Sequence, residues 1–388
     1  MLGAGISMSC GAPSTAQLTD ELLEAKTRYY KHTDGSYYPI SGTSPIHHPE
    51  GTPTICLLVA FLRALKKRVA SHYEQRINPQ GCVTRVPNYE DLAYLAVQLS
   101  ETLSGERDNP AVVPFARKLA TELKLDDSLL QTVADESVAL ITDHVASRLS
   151  PLIAPEGHCQ CILDAACTMS EQFLPVITLN HDLLLEKAFE ARGLLLQTGM
   201  KLLSDGRCIV RPTFSSRGAA LYKVHGSIDW FRWRQERPQQ SASYPREWIG
   251  RFATEKQEMA ALRKWRQIVG RPTILVGRFN KELSYLDEPF LDLLSQAKSA
   301  IEIASVLVVS GYSFSDKAMN SILIEWLSRP GKGRRRIVVA HTEPDTLVAG
   351  ARGAIANKWE SLKSNGDLIE IRKFLKDVQW GELQIVLK

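Results

Sequence analysis

Val176-Ile177-Thr178-Leu179-Asn180-His181-Asp182-Leu183-Leu184-Leu185-Glu186-Lys187-Ala188 passes from a short apolar segment, through an asparagine-aspartate turn, into a segment of helical period. Val176 to Leu179 reads as a strand, because apolar and β-branched side chains suit a pleated, buried surface. Leu183, Leu184, Lys187 and Ala188 carry the pattern on as a helix. The strand signature returns at Ile274 to Val276, Val306 to Val309, Ile337 to Ala340 and Leu368 to Ile371. Ser315 is a suitable N-cap for a helix that buries Met319, Ile322, Leu323 and Trp326. Strands alternating with helices build parallel crossovers, so the expected fold class is α/β, a doubly wound parallel sheet.

Between Cys56 and Leu149 the pattern changes to helices alone. Leu92, Leu95, Ala96 and Leu99 form one helical stripe, and Leu130, Val133, Val138, Ile141 and Val145 form another. The expected division is a core of residues 1–30 and 150–388, with a helical insertion domain at 54–150. Residues 31–53, rich in Gly, Ser, Pro and His, read as a loop that serves as a lid or a linker.

A chain of 388 residues with 44% hydrophobic and 23% charged content can bury one large core or two modest ones. Its longest apolar stretch, Ile55 to Leu65 interrupted by Arg63, falls short of the roughly 20 residues that span a bilayer. No charged segment followed by an apolar one opens the chain, so a soluble cytoplasmic protein with no membrane partner is expected. Seven cysteines, an odd number, argue for reduced thiols. His158, Cys159, Cys161 and Cys167 are zinc-donor types without the paired knuckle spacing, and small cysteines packed on a helix explain them better, so no metal site is expected.

The net charge of +4 is small, and its clusters matter more. Lys332, Arg334, Arg335 and Arg336 read as a solvated turn entering a strand. Trp230, Arg232, Trp233, Arg234, Trp248, Arg251, Trp265 and Arg266 either stack on nucleic-acid bases or form a helical cover or oligomer contact, and the second reading is preferred.

Separated segments in three regions of the chain fit one task. Gly3-Ala4-Gly5-Ile6-Ser7 opens the chain, Asn180-His181-Asp182 and Val224-His225-Gly226 lie midway, and Gly311-Tyr312-Ser313-Phe314-Ser315 comes late. Each stands where an apolar run gives way to a helix pattern, which is where an open parallel sheet builds its ligand crevice. Glycines let a main chain approach a dinucleotide pyrophosphate without a Cβ between them, and backbone N–H groups can hold it. Gly3, Ala4, Gly5 and Ser7, with Ser14 in the loop beyond, are the candidates. The third glycine of the dehydrogenase fingerprint is missing, since Met8 and Ser9 occupy its place, so hydride transfer is poorly supported. Asn180 and His225 are the candidates for chemistry: an amide both donates and accepts, and a neutral imidazole can take a proton. The plainer reading leaves Asn180 and Asp182 as helix caps and His225 as a turn histidine. The His181 side chain is expected to point away from Asn180.

In this order the motifs resemble the sirtuin family, and in particular its prokaryotic branch that destroys NAD during anti-phage defence. Lys223-Val224-His225-Gly226-Ser227-Ile228-Asp229-Trp230 and Gly311 to Asp316 look like that branch's wording, and the likeness covers roughly 3–20, 174–190, 221–231, 273–277 and 305–325. The resemblance implies a Rossmann-like core and NAD as substrate. It implies that Asn180 positions water, that His225 accepts a proton, that Asp182 lies near the nicotinamide carboxamide, and that Gly311 and Ser313 lie by the adenine ribose. The activity implied is an NAD+ glycohydrolase that depletes the cell of NAD. Control would come from homo-oligomerisation or from a partner such as a DNA-translocating ATPase or a short Argonaute; the chain carries no Walker loop of its own.

Two departures bear on this. Sirtuin deacetylases hold a structural zinc on two Cys-x-x-Cys pairs after the catalytic His-Gly, whereas the last cysteine here, Cys208, precedes His225. No zinc is therefore expected, and protein deacylation or ADP-ribosyl transfer ranks behind hydrolysis, as does a non-catalytic NAD-binding subunit. The apolar strand that normally precedes the first glycine turn is reduced to Met1 and Leu2, so the strand is very short or the chain begins within it.

Overall fold

The computed structural model describes residues 1–24, 29–40, 52–74, 86–106, 109–155, 157–236, 246–277, 288–329 and 333–387. The chain divides into two compact units: Met1–Ala12 with Leu149–Ile268 and Ser284–Lys388, and Pro13–Arg148 with Val269–Leu283. The N-terminal segment leaves the first unit after Ala12, although the sequence reading kept residues to 30 with the core. The reason is the helix Thr15–Glu24, which buries Leu18, Leu22 and Leu23 and packs on the helices Ile55–Glu74 and Tyr89–Ser104.

The first unit is built on parallel strands. Phe173–Thr178 pairs with Gly218–Lys223, which pairs with Leu196–Gln197; Val306–Ser310 pairs with Arg336–Ala340, which pairs with Leu368–Ile371. Leu2 joins the two sets through parallel bridges to Thr178 and Ser310. Its N–H donates to the Ile177 carbonyl at 2.8 Å, Leu179 N–H donates to Leu2 O at 2.9 Å, and Gly3 N–H donates to Ser310 O at 2.9 Å. So short a segment can serve as a strand because both neighbours satisfy its backbone groups. Its central place sends the glycine turn out between the Asn180 turn and the Gly311 turn.

Both faces of this sheet are covered, which is why its strands are apolar almost throughout. Val176, Ala219, Leu221, Val338 and Ala340 share a core with Cys161 and Leu163 of the helix Gln160–Thr168 and with Leu185, Ala188 and Phe189 of the helix Leu184–Ala191. Ile177, Ala220 and Tyr222 alternate with these, point the other way and are also buried. The helix Phe290–Ile303 packs on the strands Phe173–Thr178 and Gly218–Lys223. An α/β fold with a doubly wound parallel sheet is thus observed.

Ile274 to Val276 does not extend that sheet. Ile274 ends the strand Trp265–Ile274, which belongs to an antiparallel sheet ordered Trp265–Ile274, Gly226–Gln235, Glu247–Phe252, Arg207–Val210, Met200–Leu202. Here lie the clustered tryptophans. Trp233 stacks on its cross-strand partner Trp248 at 5.5 Å, and Phe252 and Trp265 close the cluster. All four tryptophans of the motif, Trp230 included, are buried, so their ring faces are unavailable to nucleic-acid bases; nor do they form a helical cover, since they stand on strands. The arginines between them pair with carboxylates: Arg232 and Arg234 with Glu247, Arg251 with Asp229, Arg266 with Glu236. Of the other basic cluster, Arg334 is exposed and paired with Asp367, and Lys332 lies outside the described residues.

The second unit holds the helices Thr15–Glu24, Ile55–Glu74, Tyr89–Ser104, Val113–Leu123 and Asp127–Leu149. Asn88 and Asp91 form a reciprocal capping box at the start of Tyr89–Ser104. Part of the expected 31–53 loop is ordered: Tyr29–Lys31 and Tyr37–Pro39 pair as an antiparallel hairpin, while 41–51 lie outside the described residues. The hairpin is tied to Asp127–Leu149 by Tyr37 N–H donating to Asp143 at 2.7 Å and by Lys31 and Tyr37 both reaching Glu136 at 2.6 Å. No helix among the described residues is long and apolar enough to cross a membrane.

Candidate active site

The turns that end the central strands meet at the carboxyl edge of the parallel sheet. Asn180, His181 and Asp182 follow Phe173–Thr178, and all three are buried. Asn180 N–H donates to the Thr178 hydroxyl at 3.1 Å, and Leu184 N–H donates to Asp182 Oδ1 at 3.1 Å, so the turn is closed by its own side chains. Ser7 reaches in from the 3-10 helix Ala4–Cys10. Its hydroxyl donates to Asp182 Oδ2 at 2.7 Å and accepts from Asn180 Nδ2 at 3.0 Å. That chain fixes which way the Asn180 amide faces: Nδ2 toward Ser7, and Oδ1, buried, without a hydrogen-bond partner. Asn180 is only 7% exposed, so an unmatched acceptor there is an uncommon feature in a folded protein.

Beneath this turn, buried Lys223 at the end of Gly218–Lys223 donates to the Asp182 carbonyl at 2.5 Å and pairs with Glu186 at 2.8 Å. Burial pushes the Glu186 carboxyl up despite that partner. Ile228 N–H donates to the His181 carbonyl at 3.0 Å, which anchors the strand following His225 to the same turn. His225 is 3% exposed, and its ring centroid lies 6.2 Å from that of His181. The His181 ring thus accompanies His225, a neighbour the sequence reading did not give it.

Glycine has a more local reason here than contact with phosphate. A Cβ on Gly3 would sit 2.5 Å from the Gly311 carbonyl oxygen, one on Gly5 2.7 Å from Gly311 Cα, and one on Gly311 2.5 Å from the Ile6 nitrogen. The two turns thus pack backbone on backbone, and Gly311 takes φ +65°, a left-handed conformation that favours glycine. Gly5 N–H donates to Gly311 O at 2.9 Å and Ile6 N–H to Gly3 O at 3.2 Å, so these amides serve the fold. Ala4 is exposed at the head of its 3-10 helix, where the first amide has no helical acceptor.

The remaining candidates are distributed unevenly. Ser313 is exposed and its hydroxyl meets that of Ser315 at 2.9 Å. Asp182 and Ser7 are engaged with each other and act on Asn180. Ser14 belongs to the other unit, where it forms a capping box with Gln17 at the start of Thr15–Glu24. The cap of Lys317–Ser328 is Asp316, not Ser315: its Oδ1 accepts from Met319 N–H at 3.1 Å. Asp316 Oδ2 lies 3.2 Å from His225 Nε2, which makes it a site residue the sequence reading gave no role. Its signal was present, an Asp directly before a helix-period run, but capping alone accounts for such a residue.

Nearby, Cys10 Sγ lies 3.2 Å from His158 Nδ1; burial pushes the thiol up and the imidazole down, so both favour their neutral forms. Cys159 and Cys161 are buried in the core, and among the described residues no group of three or more His, Cys, Asp or Glu is placed to hold a metal. A cavity of about 550 Å³ opens elsewhere, lined by Gln160, Asp164, Cys167, Thr168, Gln379, Trp380 and Gly381. It is wide and shallow and contains none of the convergent buried groups, so the Asn180 turn is the better site.

Residues 175–363 match the family model of the SIR2-like domain. The match spans Asn180, His225, Gly311 and Asp316, and it supports a sirtuin-like, Rossmann-like chain with NAD-dependent activity in the broad sense. A search of curated proteins finds no match.

Proposed function

We propose that this protein is an NAD+ glycohydrolase, releasing nicotinamide and ADP-ribose. The observation that carries the reading is the buried Asn180 Oδ1, held without a partner on the carboxyl edge of the sheet, next in the chain to His181, whose ring lies 6.2 Å from that of buried His225. The residues present suit such a substrate. A carbonyl oxygen in that position accepts a hydrogen bond from a ribose hydroxyl or from water, which refines the expectation that the amide donates and accepts at once, because one amide N–H is engaged by Ser7.

The bond between ribose C1′ and nicotinamide breaks through an oxocarbenium-like state, and its electron pair leaves with the cationic pyridinium, so no acid is required. Water bonds to C1′, and His225 takes the proton it sheds. Unregulated, this activity would drain a cell of NAD. We extend the proposal to a toxic effector in bacterial anti-phage defence, controlled by self-association or by a partner such as a DNA-translocating ATPase or a short Argonaute.

The test is direct. Purified protein is incubated with NAD and free nicotinamide is followed; Asn180→Ala and His225→Ala are each expected to lower turnover by about 100-fold or more while leaving the melting temperature near that of the wild type. Turnover unchanged in both variants sinks the reading, and turnover that appears only with an acylated peptide assigns the site to acyl transfer.

A further inference from the structure

We propose that Asp316 is a positioning residue for His225, an inference that rests on the reading above. The two carboxylate oxygens have separate tasks. Oδ1 accepts from Met319 N–H at 3.1 Å and caps Lys317–Ser328, while Oδ2 faces His225 Nε2 at 3.2 Å. Both side chains are buried, so the charge of one acts on the other with little screening by water.

The loop before Asp316 is built to hold it. Phe314 takes φ +52°, a left-handed conformation that costs a non-glycine residue, and its carbonyl is fixed by Asn320 Nδ2 at 2.7 Å and by Arg352 N–H at 2.9 Å. The Tyr312 hydroxyl lies 3.0 Å from the Asp316 carbonyl and 2.8 Å from Asn320 Oδ1. Strain held by a dense buried network, one turn ahead of a carboxylate, is explained by the direction in which that carboxylate must face.

A carboxylate only accepts, so at 3.2 Å its charge favours the tautomer with the hydrogen on Nε2 and the lone pair on Nδ1. Asp316 thereby selects the tautomer in which Nδ1 takes the proton from water, and its charge stabilises the imidazolium that results. No proton passes to Asp316. Nε2–H stays in place throughout.

Asp316→Asn and Asp316→Ser in the full chain test this, because both replacements are good helix caps while neither presents a carboxylate to the imidazole. Expected are a fall in kcat of about 100-fold with KM for NAD within about threefold, a far-ultraviolet circular dichroism spectrum like the wild type, and altered 15N resonances of the His225 ring. Unchanged kcat, a loss confined to KM, or ring resonances identical to the wild type overturns the proposal. If the wild type releases no nicotinamide, the glycohydrolase reading fails, and the ring resonances alone decide whether Asp316 sets the tautomer. If the wild type is active and Asp316→Asn matches it, the activity stands and the positioning role falls.

Discussion

Asn180 in the first unit and His144 in the second are both buried polar side chains, and their surroundings treat them in opposite ways. His144 Nε2 lies 3.0 Å from the Leu18 carbonyl and Nδ1 lies 2.6 Å from the Tyr29 hydroxyl. A carbonyl only accepts, so Nε2 carries the hydrogen and Nδ1 accepts from Tyr29; both nitrogens are matched within the unit. Asn180 is matched on Nδ2 and left unmatched on Oδ1. An unmatched buried acceptor costs on the order of 1–3 kcal/mol, which a fold retains most readily where a ligand supplies the partner. His144, matched on both nitrogens, reads as architecture, whereas Asn180 keeps an acceptor at the sheet edge that a ligand could fill.

The sharpest break in that comparison is expected at the glycines. Gly311→Ala puts a Cβ 2.5 Å from the Ile6 nitrogen and 2.6 Å from the Gly3 carbonyl oxygen at φ +65°, so the contact between turns must open. A loss of about 3 kcal/mol or more in chemical denaturation is expected. In the helical unit, Gly105→Ala meets nothing within 4 Å at φ +75°, so only the backbone term of about 1 kcal/mol is expected. Equal losses at the two positions would mean that turn-on-turn packing adds nothing.

The helical unit's network responds to pH with two opposed terms. Burial pushes the His144 imidazole down to about 4, so the native state binds fewer protons than the unfolded one, and this term removes stability as pH falls from about 6.5 to 4. Burial pushes the Asp143 carboxyl up to about 6, against Arg271, so the native state binds more protons there, and this term adds stability as pH falls from about 6 to 4. Each amounts to about 3 kcal/mol at most, and they nearly cancel. In urea denaturation at pH 4 to 7, relative to the wild type, Asp143→Asn should lose stability on acidification and His144→Gln should gain it; two differences of the same sign would refute the assignment.

A more local effect is expected from Ser7→Ala, which removes one hydroxyl from between two buried partners. A cost of about 2 kcal/mol is expected, with nicotinamide release lowered about tenfold because the Asn180 amide is no longer held. Full activity with lowered stability would show that Ser7 serves the fold alone.

Much of this was legible in particular residues. Val176 to Leu179, Val306 to Val309, Ile337 to Ala340 and Leu368 to Ile371 read as strands because a sheet covered on both faces needs apolar side chains on both. The antiparallel sheet was not legible: Trp230, Arg232, Trp233 and Arg234 do not keep a strict alternation, and a stripe of Trp and Arg looks much the same at an interface as in a small core. Asp316 was hidden for a similar reason, since its capping role fully accounts for its residue type.

Local sequence alone determined the strand-to-turn segments, the glycine turns and the order in which Asn180, His225 and Gly311 follow one another, because period and turn chemistry act over a few residues. Tertiary structure alone decided that Leu2 completes the sheet, that Gly3 and Gly5 yield space to Gly311, that Ser7 turns the Asn180 amide, and that Asp316 faces His225. Each of those contacts joins residues many positions apart. Such pairings are set by which surfaces the whole chain can bury together, and no short window of sequence contains both partners.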